Sequence, residues 1–260
     1  MTSISGDSPP GEGLTDDRIL GGRVALWQPD KGYRAGIDAV LLAAATPVNA
    51  GETLLDLGAG AGAVFLCVAA RVPGMGIAAL EVQPDYAALA EANAARNAVA
   101  ADVLVGDVAV PPAALRQRRF HHVVTNPPYF DRGLGSASAD PGRDVAFGGA
   151  TPLAAWIDTA ARRLLPKGSL TLIQRAERLP EVLAALDGRL GSVRVLPLAG
   201  RAGRRADRVI VQARKEGRAP FCLMSPLVLH AGDRHARDAE DYRPEIQAIL
   251  RNAASLPLQD

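Results

Sequence analysis

Four consecutive residues carry the groups in this sequence best suited to hold a planar amine: Asn126, Pro127, Pro128 and Tyr129. They follow the strand-like run Phe120–Thr125, in which Val123 and Val124 are apolar and β-branched, so they lie where a buried strand would emerge. Because proline fixes φ at about −65° and has no N–H, the two prolines form a stiff turn with free carbonyl acceptors. The Asn126 amide oxygen and the Pro127 carbonyl could accept both hydrogens of one NH2 group, while the Tyr129 ring stacks on the attached ring. The alternative is a strand that ends in a Pro-Pro turn with a tyrosine in the core.

A glycine-rich turn is the second candidate for binding chemistry. Gly58, Gly60 and Gly62 follow the short apolar run Thr53–Leu57 and precede helix-compatible residues, which predicts a strand, a turn and a helix. Glycine lets a ligand approach the backbone closely, and the spacing also fits the looser dinucleotide pattern G-x-G-x-x-A. Asp56 separates the two interpretations, because its carboxylate would repel a pyrophosphate but suits the cationic amino acid part of S-adenosylmethionine. The turn therefore favours S-adenosylmethionine over NAD.

Two further acids lie at the ends of predicted strands. Glu81 falls near the end of the strand over residues 76–82, where it could accept from both hydroxyls of a ribose. Asp107 closes the next strand, where it could accept from an adenine amino group or, as an equally good alternative, cap a helix. Alternating strands and helices predict a doubly wound, parallel α/β sheet, whose ligands bind beyond the carboxyl ends of the strands. We therefore expect Asp56, Glu81, Asp107 and Asn126 to converge on one edge.

The combination of these motifs resembles class I S-adenosylmethionine-dependent methyltransferases. Within that class it resembles the branch that methylates planar amino nitrogens of adenine, cytosine or glutamine. Residues 31–34 (Lys-Gly-Tyr-Arg), the helical run around Asp38 and the phrase over residues 125–130 are similar to the bacterial tRNA1(Val) adenine-N6-methyltransferase family. The resemblance covers residues 19–230.

This resemblance implies a Rossmann-like, doubly wound and mostly parallel seven-stranded sheet with one antiparallel strand. It also implies S-adenosylmethionine as the cofactor and no metal. The residues expected to hold the cofactor are Tyr33, Asp38, Asp56, Gly58, Gly60, Gly62, Glu81, Asp107 and Asn126. The residues expected to be catalytic are Asn126, Pro127 and Tyr129.

Substrate contacts are expected from the proline corner and from a basic cluster: Pro128, Tyr129, Phe130, Arg204 and Arg205. The two arginines belong to the densest basic stretch of the chain, residues 201–205, which could contact RNA phosphates or be a solvated loop. The long segment 130–150 could be a lid or a plain surface loop. The resemblance implies tRNA as the substrate, with a protein glutamine or a DNA adenine as alternatives. A nucleotide-binding module without catalysis, linked to NAD, is the alternative from another class.

The composition is that of an ordinary globular protein of 260 residues, with 48% hydrophobic residues and a net charge of +1. That charge provides no global attraction to nucleic acid or to an anionic membrane. Cys67 and Cys222 lack metal-ligand spacing and are expected to be buried thiols in a reducing compartment. No apolar run is long enough to span a bilayer and no secretory signal is recognisable, so we expect a cytoplasmic protein.

The sequence predicts one catalytic domain over residues 18–230. It is preceded by a disordered tail over residues 1–17, which are rich in Gly, Pro, Ser and Asp. Residues 231–260 are expected to form a polar segment and a helix. His121 and His122 lie in a predicted strand without metal-type neighbours and are expected to be structural. The sequence does not set the oligomeric state.

Overall fold

The computed structural model describes residues 11–129, 151–232 and 241–258. The strands are β1 Leu14–Ile19, β2 Val24–Pro29, β3 Thr53–Leu57, β4 Gly76–Glu81, β5 Ala101–Val105, β6 Phe120–Thr125, β7 Leu164–Arg175, β8 Gly191–Ala199, β9 Ala206–Arg214, β10 Cys222–Leu223 and β11 Leu227–Val228. The α-helices are α1 Ile37–Ala45, α2 Ala63–Arg71, α3 Pro84–Arg96, α4 Ala113–Arg116, α5 Leu153–Arg163, α6 Leu179–Leu186 and α7 Pro244–Asn252. Short 3-10 helices cover Leu20–Gly22 and Ala176–Arg178.

The strands after the first hairpin form one sheet in the order β10-β8-β9-β7-β6-β3-β4-β5, and β11 also pairs with β8. Strands β5, β4, β3, β6 and β7 are parallel, whereas β9 is antiparallel to both β7 and β8. Among the described strands of this sheet, β9 is the one that runs against the others, as predicted. Within the described ranges the sheet has nine strands rather than the predicted seven, because β10 and β11 add two residues each along the outer side of β8. Their pairing covers backbone groups that an edge strand would leave free.

Helices cover both faces of the sheet, because alternate residues of a strand point to opposite sides. On one face, Leu54 and Val124 belong to a core shared with α1, α2 and α3. On the other face, Leu55 and Val123 pack with α5 and α6, including Ile157 of α5. All five side chains are fully buried. At these positions β3 and β6 are thus apolar on both sides, and polar side chains that can meet a ligand appear near the carboxyl ends of the strands.

The β1–β2 hairpin corrects the prediction of a disordered tail over residues 1–17 for residues 14–17, which belong to β1. Strand β1 pairs with β2 along its whole length. Asp17 also forms an ion pair with Arg34, with 2.7 Å between Oδ2 and Nη2. These partners order a stretch whose composition alone suggests disorder. Residues 1–10 lie outside the described part of the chain.

The C-terminal helix α7 is present as predicted, but it belongs to the main core. Ile246 and Ile249 are buried in the same apolar cluster as α1. The N–H of Leu256, just after α7, donates to the Ala44 carbonyl of α1 at 2.8 Å. The domain therefore extends beyond its predicted C-terminal boundary.

Burial differs between the two cysteines. Cys67 is buried in α2, and burial raises the pKa of its thiol to about 12. Cys222 is only partly buried, so the expectation that both thiols are buried is wrong for this one, which lies in the edge strand β10. Within the described ranges, no helix has the length and apolar character needed to cross a bilayer.

Candidate active site

Asn126 follows the central strand β6 and presents an unused acceptor. Its Nδ2 donates to the hydroxyl of Tyr33 at 3.2 Å. Its Oδ1 is buried and has no hydrogen-bond partner among the described residues. Leaving a buried acceptor unpaired costs about 1–3 kcal/mol. Such an atom at the end of a central strand is therefore expected to receive a donor from a ligand.

The two prolines after Asn126 are held from the end of β7. The Gln174 amide donates to the Pro127 carbonyl at 3.4 Å, which is long for a hydrogen bond. Arg178 donates to the Pro128 carbonyl at 3.0 Å. Since a carbonyl oxygen has two lone pairs, the Pro127 carbonyl keeps capacity for another donor. The corner is thus fixed by neighbours while its first carbonyl remains available.

Tyr129 is connected to two distant elements through one carboxylate. Its hydroxyl donates to Asp38 Oδ2 at 2.7 Å, and Asp38 lies in the first turn of α1. The other oxygen of Asp38 pairs with Arg208 of β9. Burial, followed by the negative charge of Asp38, raises the pKa of the Tyr129 phenol. The phenol therefore serves as a neutral hydrogen-bond donor.

Packing within the protein accounts for two of the three glycines in the turn after β3. A Cβ on Gly58 would lie 2.7 Å from the ring of Trp156. A Cβ on Gly62 would lie 2.7 Å from the ring of Phe65, and this glycine has a φ of +93°. Both positions therefore exclude larger residues whether or not a ligand binds.

Gly60 connects the glycine turn to the proline corner. A Cβ there would lie 3.5 Å from the ring of Tyr33, whose hydroxyl receives the Asn126 amide. Tyr33 is anchored in turn from α3, because the Tyr86 hydroxyl donates to its carbonyl at 3.1 Å. The turn and the corner therefore face each other across the Tyr33 ring. Burial and then the charge of Asp38 raise the pKa of the Tyr33 phenol.

Glu81, at the end of β4, holds the glycine turn through a hydrogen bond to the backbone of Gly60. Its Oε2 accepts from the Gly60 N–H at 2.8 Å and its Oε1 accepts from the Gln83 N–H at 2.9 Å. The residue is 6% exposed, and burial raises the pKa of its carboxyl. Each oxygen still has a lone pair with which to accept from a ligand hydroxyl.

Asp56, in β3, is a buried acid next to the turn. It is 1% exposed, and its Oδ2 accepts from the Phe65 N–H at 3.3 Å. Burial, with a smaller contribution from the charge of Glu81, raises the pKa of Asp56 to about 7. A cationic ligand group beside it would stabilise the ionised form and lower this pKa again.

Asp107 lies at the same edge but is exposed and used locally. Its Oδ1 accepts from the Ala109 N–H at 2.8 Å and from the Thr151 hydroxyl at 3.2 Å. These bonds close a turn after β5, which is a different local role from the helix cap considered above. Contact between Asp107 and an adenine stays a prediction.

The predicted basic residues lie on a neighbouring part of this edge. Arg204 and Arg205 are exposed in the turn between β8 and β9, and Arg205 pairs with Asp207 at 3.3 Å. Because β9 runs against the other strands, this turn lies at the same edge as Asn126. Phe130 and the segment 130–150 lie outside the described residues.

Three residues around the corner were not predicted as part of the site: Gln174, Arg178 and Arg208. Each lies where a strand ends or begins at this edge, which is a signal that the sequence offers, and Arg208 also follows the basic stretch 201–205. The two histidines of β6 behave as expected of structural residues. His122 lies 2.8 Å from both Ser169 Oγ and Glu52 Oε2, and burial lowers its pKa. Within the described ranges, no three His, Cys, Asp or Glu side chains are grouped as a metal site requires.

Comparison with known proteins assigns a family to this arrangement. The model of the methyltransferase small domain matches residues 34–200. The chain is 30% identical over 204 residues to the tRNA1(Val) (adenine(37)-N6)-methyltransferase of Aeromonas hydrophila, covering 77% of this chain and 84% of that protein.

Solved structures agree on the fold. A predicted O-methyltransferase, protein Atu636 from Agrobacterium tumefaciens, is 29% identical with a TM-score of 0.67, covering 85% of this chain and 98% of that one. The 16S rRNA N2 G1207 methyltransferase of T. thermophilus, solved with AdoMet and guanosine, is 24% identical with a TM-score of 0.56, covering 78% and 50%. The fold is that of class I methyltransferases, and the chain belongs to the methyltransferase small domain family.

Proposed function

We propose that this methyltransferase transfers a methyl group from S-adenosylmethionine to the N6 amino group of an adenine in tRNA. The observation that carries the proposal is the buried Oδ1 of Asn126, which has no hydrogen-bond partner among the described residues. The carbonyl of the next residue, Pro127, provides a second acceptor. A planar NH2 group offers two donors to two such acceptors. The name of the Aeromonas hydrophila relative supports the same chemistry and substrate.

The residues at the strand ends fit S-adenosylmethionine. Asp56 offers a buried carboxylate to the cationic amino acid part, and Glu81 offers two oxygens to the ribose hydroxyls. Asp107 would accept from the adenine amino group, and the Tyr33 ring lies beside Gly60 of the turn. A pyrophosphate would meet the charge of Asp56, so NAD fits less well. When bound, S-adenosylmethionine supplies an electrophilic methyl group on its sulfonium.

The protein's contribution to the chemistry is to hold and activate the amine. The lone pair of an adenine amino group is delocalised into the ring, so the nitrogen is a poor nucleophile. Asn126 Oδ1 and the Pro127 carbonyl would hold its two hydrogens and favour the pyramidal, charge-developing nitrogen of the transition state. Stacking on Tyr129 would add roughly 1–3 kcal/mol of binding. The remaining rate acceleration would come from positioning the amine next to the methyl group.

The exposed arginines at the edge that carries the site support an RNA substrate. The overall charge is only +1, but Arg204 and Arg205 lie in an exposed turn at the edge that carries Asn126. Phosphate contacts from such a turn would orient the RNA without reading its sequence. An unpaired loop base would reach the corner without being flipped out of a helix. We also propose a cytoplasmic location, since tRNA is the proposed substrate.

Methyl transfer from labelled S-adenosylmethionine to tRNA, DNA and protein from a strain that lacks this gene would test the proposal. We expect label in tRNA, as N6-methyladenosine by mass spectrometry of nucleosides, and none with Asn126→Ala. Label only in protein or DNA would reject the tRNA assignment while keeping the amine chemistry. Calorimetric binding of NAD without binding of S-adenosylmethionine would reject both.

A further inference from the structure

Asp38 has protein groups on both of its carboxylate oxygens. The Tyr129 hydroxyl donates to Oδ2 at 2.7 Å, and the Arg208 guanidinium pairs with Oδ1. The three residues come from α1, from the corner after β6 and from β9. Their side chains are shielded, with only 14% of Asp38 and 29% of Arg208 exposed.

We propose that Asp38 and Arg208 are positioning residues, which fix the Tyr129 ring at the orientation in which it stacks on the target base. The proposal rests on the proposed function, because only there does Tyr129 have a base to stack on. Asp38 then acts through Tyr129 rather than on the methyl donor. Arg208 acts one contact further away, by holding Asp38.

The geometry supports this role in two ways. A tyrosine ring at the end of a turn can rotate about its side-chain bonds unless its hydroxyl is anchored, and a hydrogen bond to a carboxylate is among the stronger anchors. A shielded carboxylate is in turn costly unless a cation compensates it, and Arg208 supplies that charge. Removing either residue should therefore loosen the ring without removing it.

The first test needs no substrate. The protein is labelled with 3-fluorotyrosine, and the Tyr129 fluorine resonance is assigned by its loss in Tyr129→Phe. We expect Asp38→Asn and Arg208→Met to shift or broaden this resonance and to leave that of Tyr242 unchanged. Asp102→Asn is the matched control, because it removes an exposed Asp–Arg pair with Arg118 elsewhere. An unchanged Tyr129 resonance in Asp38→Asn would overturn the proposal.

The second test is a double-mutant cycle on single-turnover methyl transfer to unmodified tRNA. We expect Asp38→Asn to slow transfer about tenfold to a hundredfold, the range for a hydrogen bond to a charged group. Its affinity for S-adenosylmethionine, measured by calorimetry, should stay unchanged. In the Tyr129→Phe background, Asp38→Asn should have no further effect, because the hydroxyl through which it acts is gone.

The outcomes separate this proposal from the proposed function. Equal effects of Asp38→Asn in both backgrounds, with weakened binding of S-adenosylmethionine, would make Asp38 a cofactor ligand and refute the positioning role. A perturbed Tyr129 resonance together with no methyl transfer by the wild type to any tRNA would support the anchoring and reject the tRNA reaction.

Discussion

The Asn126 amide nitrogen donates to the Tyr33 hydroxyl at 3.2 Å, and the amide oxygen is the end that remains available. With the nitrogen committed to Tyr33, the oxygen is the end left for a ligand. An amide turned the other way would present donors to a donor amine. Tyr33 therefore occupies the nitrogen end of the Asn126 amide and also contributes to the wall beside Gly60.

Tyr33→Phe tests this relationship, because it keeps the ring and removes only the acceptor. We expect single-turnover methyl transfer to slow about tenfold, the effect of one lost hydrogen bond. Affinity for S-adenosylmethionine should change little. Tyr242→Phe, which alters a tyrosine outside the site, is the control. A wild-type rate in Tyr33→Phe would show that the Asn126 amide keeps its orientation without this bond.

The pKa of Asp56 predicts how cofactor binding depends on pH. Burial raises this pKa to about 7, and a bound cationic group should lower it. Binding of S-adenosylmethionine should therefore release a proton at and below neutral pH, and affinity should increase as the pH rises through about 7. Calorimetry in two buffers with different ionisation enthalpies measures the proton directly. Proton uptake on binding would contradict the assigned role.

Asp56→Asn should stabilise the cofactor-free protein at alkaline pH. The pKa of Asp56 in the folded protein lies above its ordinary value of 3.8. Its effect on the free energy of unfolding is therefore fully favourable below pH 3.8, where the acid is protonated in both states, and is lost as the pH rises through about 7. The amide keeps an acceptor for the Phe65 N–H and cannot ionise. We expect a gain on the order of a few kcal/mol at pH 8 and none at pH 3, from denaturant unfolding.

The same variant should bind S-adenosylmethionine more weakly, because the carboxylate that attracts the cationic part is gone. This single substitution would then raise the free energy of unfolding at alkaline pH and lower the affinity for S-adenosylmethionine. Asp56→Asn with unchanged cofactor affinity would remove Asp56 from the binding site, whatever its effect on unfolding.

Arg204→Ala combined with Arg205→Ala should weaken tRNA binding without affecting S-adenosylmethionine binding. Losing phosphate contacts should also reduce the slope of log affinity against log salt by about 1–2. Arg218→Ala is the matched control, since this exposed arginine follows β9 at the opposite edge of the sheet. Filter binding over a range of salt concentrations measures both quantities. Equal losses in the two proteins would indicate general charge attraction.

Gly58→Ala should destabilise the protein by packing as well as by backbone strain. The added Cβ would lie 2.7 Å from the Trp156 ring, at a φ of +71°. Gly51→Ala is a suitable comparison, because its φ of +83° is similar but its Cβ would meet nothing within 4 Å. We expect roughly 1–2 kcal/mol for Gly51→Ala. Gly58→Ala should cost about 1–3 kcal/mol more. Equal losses would mean that Trp156 moves aside freely.

The strands that carry the site could be predicted because local patterns specify them. Phe120–Thr125 is predicted as a strand and forms β6 with the same bounds, since its apolar pair is followed by prolines that cannot continue it. Thr53–Leu57 is predicted as a strand followed by a glycine turn and a helix, and it forms β3, which leads through the turn into α2. Because the strands are parallel, the polar residues at their carboxyl ends come together at one edge of the sheet.

The partners of the site residues could not be predicted, because contacts between distant segments set them. Asp38 appears in the sequence as an acid in the first turn of a helix, and nothing local connects it with Arg208, 170 residues away. The order of β1 was missed for a related reason, since its Asp16 and Asp17 form ion pairs with Arg96 and Arg34. Composition describes a segment in isolation, whereas order depends on what the segment meets.

The packing of α7 on α1 has a consequence for biosynthesis. Helix α1 carries Asp38 in its first turn, and part of its apolar surface packs against α7, whose Ile246 and Ile249 belong to the same buried cluster. A nascent chain would therefore expose that surface until nearly the whole domain has emerged from the ribosome. Translation that stalls before α7 should leave an inactive intermediate that is prone to aggregation. A chaperone that binds the nascent chain would protect this enzyme during synthesis.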